Sequence, residues 1–462
     1  MIETHVTAML ARFAAELRFE DLPAETVEHI KIYLADWFAA SFAGEKVNGA
    51  YNRAVRDILF DMGGKEEASV MFSDRRLPVM HAAFLLATYA HGADMDDGNR
   101  KAMGHVGAHV MSTVLALSET LPDVTGRDLV TAINVGYEVY NRVAAAAQPG
   151  LVRRGFHSTG TAGAIACAAV AAKLMRLDEA GIYAAMSAAA VQASGLIIIA
   201  ESGQALKPVN PANAAKTGIF SAKLAAARVD CPRYPLESDK GWLHAMTDEP
   251  DLTMITDGLG KVFTIDESYL KPYPSCRHTH PGIECALRLR ARMAEKYGEF
   301  RAGDVSRVEV YIYENAIRIA GQIRIPATDD DSKFSVHYSL ATALVRGHFD
   351  LSDLAVSGIT DEIRETVDKI RLIPDASMEQ RDAGIRGCRT VLVTKDGEKL
   401  EETVLIPKGD AANPFTWEDI RQKLAGCADG LLSASGQEKL IAAVRGIDRM
   451  ERFPDIRTLT RD

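Results

Sequence analysis

The pattern of apolar positions changes character once along this chain, near residue 266. Before it, apolar residues recur at helical spacing. Val27, Ile30, Leu34 and Trp37, with Ser41, line one face of a predicted helix over 24–43, which Pro23 precedes and Gly44 is expected to stop. The same periodicity predicts helices over 81–91 (Phe84, Leu85, Thr88, Tyr89), 107–119 (Val110, Val114, Leu117) and 128–145 (Leu129, Ile133, Val139, Val143). Two later segments, 160–175 and 180–195, are dominated by Ala and Gly. Small side chains let helix backbones approach closely, so these are expected to be central helices.

After residue 266 a period of two enters. Val305 to Tyr313 alternates and reads as a strand, and residues 390–406 hold two β-rich runs joined at Lys395-Asp396-Gly397, where Asp-Gly favours a tight hairpin. Helices are expected at 281–297 and 332–345. Strands and helices that do not alternate as βαβ units predict an α+β domain over 267–404. The tail, 416–450, returns to helical spacing and is expected to complete the first domain. The expected fold is therefore mainly α with a second α+β domain: an all-helical domain of 1–266 completed by 405–462, and a smaller domain of 267–404.

Composition narrows the class. The chain has 462 residues, 47% hydrophobic and 25% charged, enough to bury two cores. A formal net charge of −10 argues against a nucleic-acid partner, whose phosphates need a basic surface. The six cysteines are scattered without a C-x-x-C pair, which predicts reduced thiols and a cytoplasmic setting. Met1 to Glu20 lacks the apolar centre of a secretory signal, and the most apolar run, Thr161 to Ala172, is too short to span a bilayer. No membrane association is expected.

Six polar islands interrupt this scaffold. His91 to Gly98 places Asp94, Asp96 and Asp97 within four positions. Three buried carboxylates this close cannot all ionise unaided, so one must have a raised pKa or face a cation. His91 before them and His105 after them supply imidazoles that a carboxylate can orient and make more basic. His157 precedes Ser158-Thr159-Gly160, where Ser158 or Thr159 is expected to cap an Ala-rich helix whose positive end favours a neutral imidazole. Lys207 lies in Gln204-Ala205-Leu206-Lys207-Pro208-Val209-Asn210-Pro211, a loop stiffened by prolines. Lys271 to His280 gathers Lys271, Cys276, Arg277 and His278 ahead of a helix, a cationic arrangement suited to carboxylates, with Cys276 either a packed thiol or a nucleophile. Lys333-Phe334-Ser335 is the sixth.

Dinucleotide, triphosphate and nucleophile-elbow motifs are absent. His105 and His109, four apart on one helix face with an Asp of the acid cluster, leave a metal-dependent hydrolase open as an alternative.

Taken in order, His91–Asp97, Gly155–Gly163, Lys271–Arg277 and Lys333–Val336 resemble the MmgE/PrpD family, which includes 2-methylcitrate dehydratase, cis-aconitate decarboxylase and iminodisuccinate epimerase. The resemblance runs from about residue 5 to 450. It implies an all-helical domain with an α+β lid, a homodimer, no metal or organic cofactor, and an active site in the cleft between the domains. By motif position it implies catalytic roles for His105, Asp94 and His157, and substrate contacts for Lys207, Lys271, Arg277 and the lid tyrosine, Tyr313 or Tyr311. The expected activity is a lyase of the hydro-lyase kind on a small di- or tricarboxylate, with epimerisation or decarboxylation as alternatives. Two departures stand out: Gly98 follows the acid motif where Thr or Ser is frequent, and Cys276 stands where the decarboxylase branch has His.

Overall fold

The computed structural model describes residues 5–201, 205–380 and 384–462; Gln204, the first residue of the Lys207 segment, lies outside them. Two compact units emerge, Met1–Leu270 with Thr416–Asp462, and Lys271–Phe415. The protein is mainly α, with an α+β part.

In the larger unit the long helices before the chain leaves it are α1 (Val6–Glu16), α2 (Ala24–Met62), α3 (Val79–His91), α4 (Gly107–Ser118), α5 (Gly126–Ala146), α6 (Ser158–Leu174), α7 (Glu179–Ala190) and α8 (Val209–Ala226). The Ala-rich α6 is buried along its whole length except Lys173, and packs against α5, α7 and α8. Alanine gives good helix propensity and lets neighbours approach closely. Gly44 does not end α2, which runs on to Met62 with one non-helical residue at Asn48. The glycine is needed for space instead: a Cβ there would overlap the Tyr89 carbonyl of α3. His157, not Ser158 or Thr159, is the N-cap of α6.

The smaller unit is built on a four-stranded sheet. Its strands are β1 (Val305–Ile312), β2 (Ile370–Pro374), β3 (Cys388–Thr394) and β4 (Lys399–Val404), in the order β2-β1-β3-β4. β1 and β2 are parallel (Val310 opposite Leu372), while β3 pairs antiparallel with β1 (Val310 opposite Thr390) and β4 (Thr390 opposite Glu402). Val308, Val310 and Ile312 are the buried alternate positions of β1. Helix α9 (His280–Tyr297) packs on β3 and β4 and on α10 (Val336–Arg346). Residues 405–415 stay with this unit because Arg277 holds the Pro407 and Lys408 carbonyls and Glu284 accepts from the Lys408 amide. Residues 267–270 belong to the larger unit, where Tyr269 forms a backbone bridge with Gly98.

Helix α11 (Asp361–Lys369) is the last of the smaller unit, and the chain returns to the larger unit as α12 (Trp417–Ala428) and α13 (Ala434–Arg445). α12 packs on α2 through a buried ion pair, Lys423 Nζ to Asp36 Oδ1 at 2.5 Å, and the same ammonium donates to the Met95 carbonyl at 2.8 Å. Helix α12 thus reaches the acid cluster. No helix among the described residues is long and apolar enough to cross a membrane.

Removing one member of a buried ion pair leaves the other uncompensated, at about 3–5 kcal/mol. Lys423→Met is expected to lose stability on that scale in urea unfolding, and adding Asp36→Leu to recover part of it. A loss below about 1 kcal/mol for the single variant would show that the pair contributes little.

Candidate active site

The end of α3 delivers the acid cluster. His91 is its last residue, and the chain turns through Asp94, which has left-handed backbone (φ 54°), a conformation aspartate tolerates better than most residues. A short hairpin follows, in which Asn99 bridges Gly104, and it delivers His105 just ahead of α4. Asp94, Asp96, Asp97, His91 and His105 are thereby brought together on one connection between two helices.

Each carboxylate meets a different partner. Asp94 Oδ1 lies 2.5 Å from Lys207 Nζ and 3.7 Å from His105 Nε2. Asp96 Oδ2 accepts from His91 Nδ1 at 2.8 Å and faces His105 Nδ1 at 3.3 Å. Asp97 accepts from the Tyr137 hydroxyl at 2.8 Å and the Gly107 amide at 2.7 Å, at the start of α4. Burial and the neighbouring Asp96 charge push the Asp97 carboxyl up to about 7. Burial also opposes ionisation of Asp96, but the two imidazoles outweigh it and hold this carboxyl well below the usual range. The sequence demanded a raised pKa or a facing cation, and the cluster contains both.

The imidazoles are held in definite tautomers. Burial lowers His91 to about 4, so it is neutral near pH 7 and donates Nδ1–H to Asp96. His105 Nδ1 lies 2.8 Å from the Asp97 carbonyl, which can only accept. Its Nδ1 therefore carries the proton, and in the neutral ring Nε2 keeps its lone pair, directed toward Asp94. The Asp97 carbonyl and Asp96 thus orient this ring. His157 is the mirror case. Burial and the Lys207 charge push its pKa well below the ordinary value, and its Nδ1 accepts from Asn210 Nδ2 at 2.9 Å, leaving the proton on Nε2. When both rings are neutral, the site offers a lone pair at His105 Nε2 and an N–H at His157 Nε2. His91 lies between them, with ring centroids 4.7 Å from His105 and 6.4 Å from His157.

His109 does not join His105. It is fully buried against Tyr140, burial lowers it to about 3, and it belongs to neither cluster with metal-ligand spacing among the described residues. Those clusters are His91–Asp96–His105 and His348–Asp350–Asp353. Asn210, which sets the His157 tautomer, carries no signal in the sequence, being 53 residues away.

The remaining candidates lie in the smaller unit. Tyr313, not Tyr311, is the buried tyrosine at the end of β1, and its hydroxyl is 2.5 Å from His278 Nδ1. Tyr311 instead donates to Glu309 under the Arg389 guanidinium. Lys271 is buried. Arg277, expected as a substrate contact, is engaged structurally: it donates to the Pro407 and Lys408 carbonyls at 3.1 and 2.8 Å and to Asp410 at 3.3 Å. A guanidinium with three backbone and carboxylate acceptors from one loop is a clamp for that loop. Lys333 pairs with Asp330 at 2.7 Å, and its carbonyl accepts from the Cys276 amide at 2.8 Å.

The MmgE/PrpD N-terminal domain model matches residues 8–255 and the C-terminal domain model residues 273–449. Among curated proteins, the chain is 25% identical over 463 residues to a cis-aconitate decarboxylase-like protein of Aspergillus oryzae, covering 96% of this chain and 95% of that one. It is 25% identical over 462 residues to cis-aconitate decarboxylase of Aspergillus terreus (96% and 94% covered) and 25% identical over 398 residues to that of Homo sapiens (84% and 80%).

Asp97 gives a pH test of this charge arrangement. Its folded pKa, about 7, exceeds the unfolded value of about 3.9. The stability gained by keeping it neutral is fully present below about pH 4 and lost as pH rises through 7. Asp97→Asn does not titrate, so its stability relative to wild type should rise between pH 4 and 7, by on the order of 3 kcal/mol. A difference that stays flat across that window in urea titrations would contradict the assignment.

Proposed function

Because the chain belongs to the MmgE/PrpD family, we propose that it is a lyase acting without a cofactor on a small di- or tricarboxylate, and that its reaction is dehydration. The observation that carries this reading is the opposite tautomers of the two imidazoles: His105 presents a lone pair and His157 an N–H. Elimination of water from a hydroxy acid needs one group of each kind.

The difficult step is placing negative charge on a carbon next to a carboxylate. His105 Nε2 takes the proton from that carbon, and the electron pair spreads into the adjacent carboxylate as an enediolate-like anion. Lys207, bridging from Asp94, supplies the ammonium that stabilises it. His157 Nε2–H then protonates the departing β-hydroxyl, which leaves as water, and the proton that His105 took from carbon returns the His157 imidazolate to its neutral form. Asp94, near both Lys207 and His105 Nε2, stabilises the imidazolium formed in the first step. For Lys271 and Tyr313, the support for a substrate contact is their position in the family motifs.

Decarboxylation is the second reading, favoured by the names of the similar proteins. There carbon dioxide leaves, the same carbanion forms, and an imidazole N–H protonates it.

Incubating the protein with 2-methylcitrate, citrate, cis-aconitate and iminodisuccinate in deuterated water separates the outcomes by NMR. Alkene formation from a hydroxy acid supports dehydration, and loss of carbon dioxide supports decarboxylation. Absence of turnover and of deuterium exchange for every acid would refute the substrate class. His105→Ala and His157→Ala are each expected to lower kcat by roughly 10²- to 10⁴-fold. Lys207→Ala is expected to lower kcat/KM, since it removes the ammonium facing the developing charge. Full turnover in any of the three would remove that residue from the mechanism.

A further inference from the structure

Gly98 and Tyr269 are joined as an antiparallel pair, with Gly98 N–H donating to the Tyr269 carbonyl at 3.0 Å and Tyr269 N–H to the Gly98 carbonyl at 2.8 Å. In a pair that exchanges both hydrogen bonds, the two side chains project from the same face. The Tyr269 ring fills the space that a side chain at 98 would take. A Cβ built on Gly98 would come within 2.5 Å of the Tyr269 hydroxyl oxygen and 2.6 Å of Cζ, its carrier atom. It is therefore the hydroxyl end of the ring that lies over the glycine. Gly98 has no left-handed backbone, so the residue is glycine for room and not for conformation.

The location of that hydroxyl gives it a use. Gly98 directly follows Asp97 and opens the hairpin that Gly104 closes one residue before His105. The phenol thus lies over the residue that joins the acid cluster to the His105 hairpin. Its segment is fixed: Ser268 and Leu270 on either side are buried, and Asn99 of the hairpin donates to Ser268 at 3.3 Å. Gly98 is buried, whereas Tyr269 is only half-buried. A rigid, uncharged donor at the edge of a site whose cation is Lys207 suits a second oxygen of an anionic ligand, because O–H to carboxylate bonds are short and charge-assisted.

We propose that the Tyr269 hydroxyl donates a hydrogen bond to a carboxylate of the polycarboxylate substrate, and that Gly98 is the space that admits it. Tyr269 is then a specificity-determining residue. This rests on the reading that the acid and imidazole cluster binds a polycarboxylate.

The test uses the full chain and propane-1,2,3-tricarboxylate, an unreactive probe, with affinity measured by calorimetry. Tyr269→Phe keeps the ring over Gly98 and removes only the hydroxyl. It is expected to bind the probe about 10-fold or more weakly, with an unchanged melting temperature, since a hydrogen bond to a charged group is lost. Gly98→Ala, whose methyl group displaces the hydroxyl, is expected to weaken binding similarly, and adding Tyr269→Phe to it to weaken binding little further. In turnover the Tyr269→Phe effect should fall mainly on KM. Equal affinity of wild type and Tyr269→Phe would overturn this assignment and leave the proposed function standing. A wild-type protein that binds neither the probe nor any of the four acids would overturn both.

Discussion

Three aspartates within four residues, carried into the interior at the end of one helix, set the problem that the rest of this site solves. Water cannot solvate them there, and they are too close to ionise together without help. The structure separates them by partner. Asp94 faces an ammonium, Asp96 sits between two imidazoles, and Asp97 is turned toward a tyrosine and a helix start, where it is driven toward its neutral form. The histidines are set by the same arrangement. Because Asp96 and the Asp97 carbonyl fix the Nδ1 protons of His91 and His105, the lone pair of His105 is left where chemistry can use it. Asp97 therefore contributes through its backbone carbonyl and through the hairpin that follows it.

The surrounding fold holds this connection in place. Lys423, from a helix nearly 330 residues later in the chain, grips the Met95 carbonyl in the middle of the cluster while pairing with Asp36. The His105 amide donates to the Thr159 hydroxyl, so the first turn of α6 positions His105 as well as His157. The short α3–α4 connection and the start of α6 are thus one rigid assembly. This is what electrostatic stabilisation of an unstable anion requires, because donors and cations that need not reorganise are the effective ones.

Much of this was legible in the sequence. Helical periodicity located α3, α4 and α5, Ala-rich composition α6 and α7, and the Asp-Gly hairpin and the alternation of Val305–Ile312 located β1, β3 and β4. The acid cluster and its neighbouring imidazoles stood out because so many polar groups rarely interrupt an apolar pattern. What failed was whatever depends on a distant partner. Gly44 read as a stop because nothing local announces that the Tyr89 carbonyl occupies its Cβ position. The hold of Arg277 on the loop at 407–410 was not legible either, because that loop is about 130 residues away. Asn210 gave no sign of setting the His157 tautomer. Gly98 appeared only as a departure from the family pattern; Tyr269, far along the chain, supplies its physical reason.

The account turns on an unequal division of charge between adjacent aspartates, Asp96 ionised and Asp97 neutral below about pH 7. Carbon-13 NMR of protein labelled at the aspartate carboxyls, assigned with single Asp→Asn variants and titrated from pH 4 to 9, reads this directly. The account predicts that the Asp97 carboxyl changes its chemical shift near pH 7 while Asp96 keeps the shift of a carboxylate throughout. A single titration near pH 4 shared by both, or a proton resident on Asp96 at neutral pH, would contradict it.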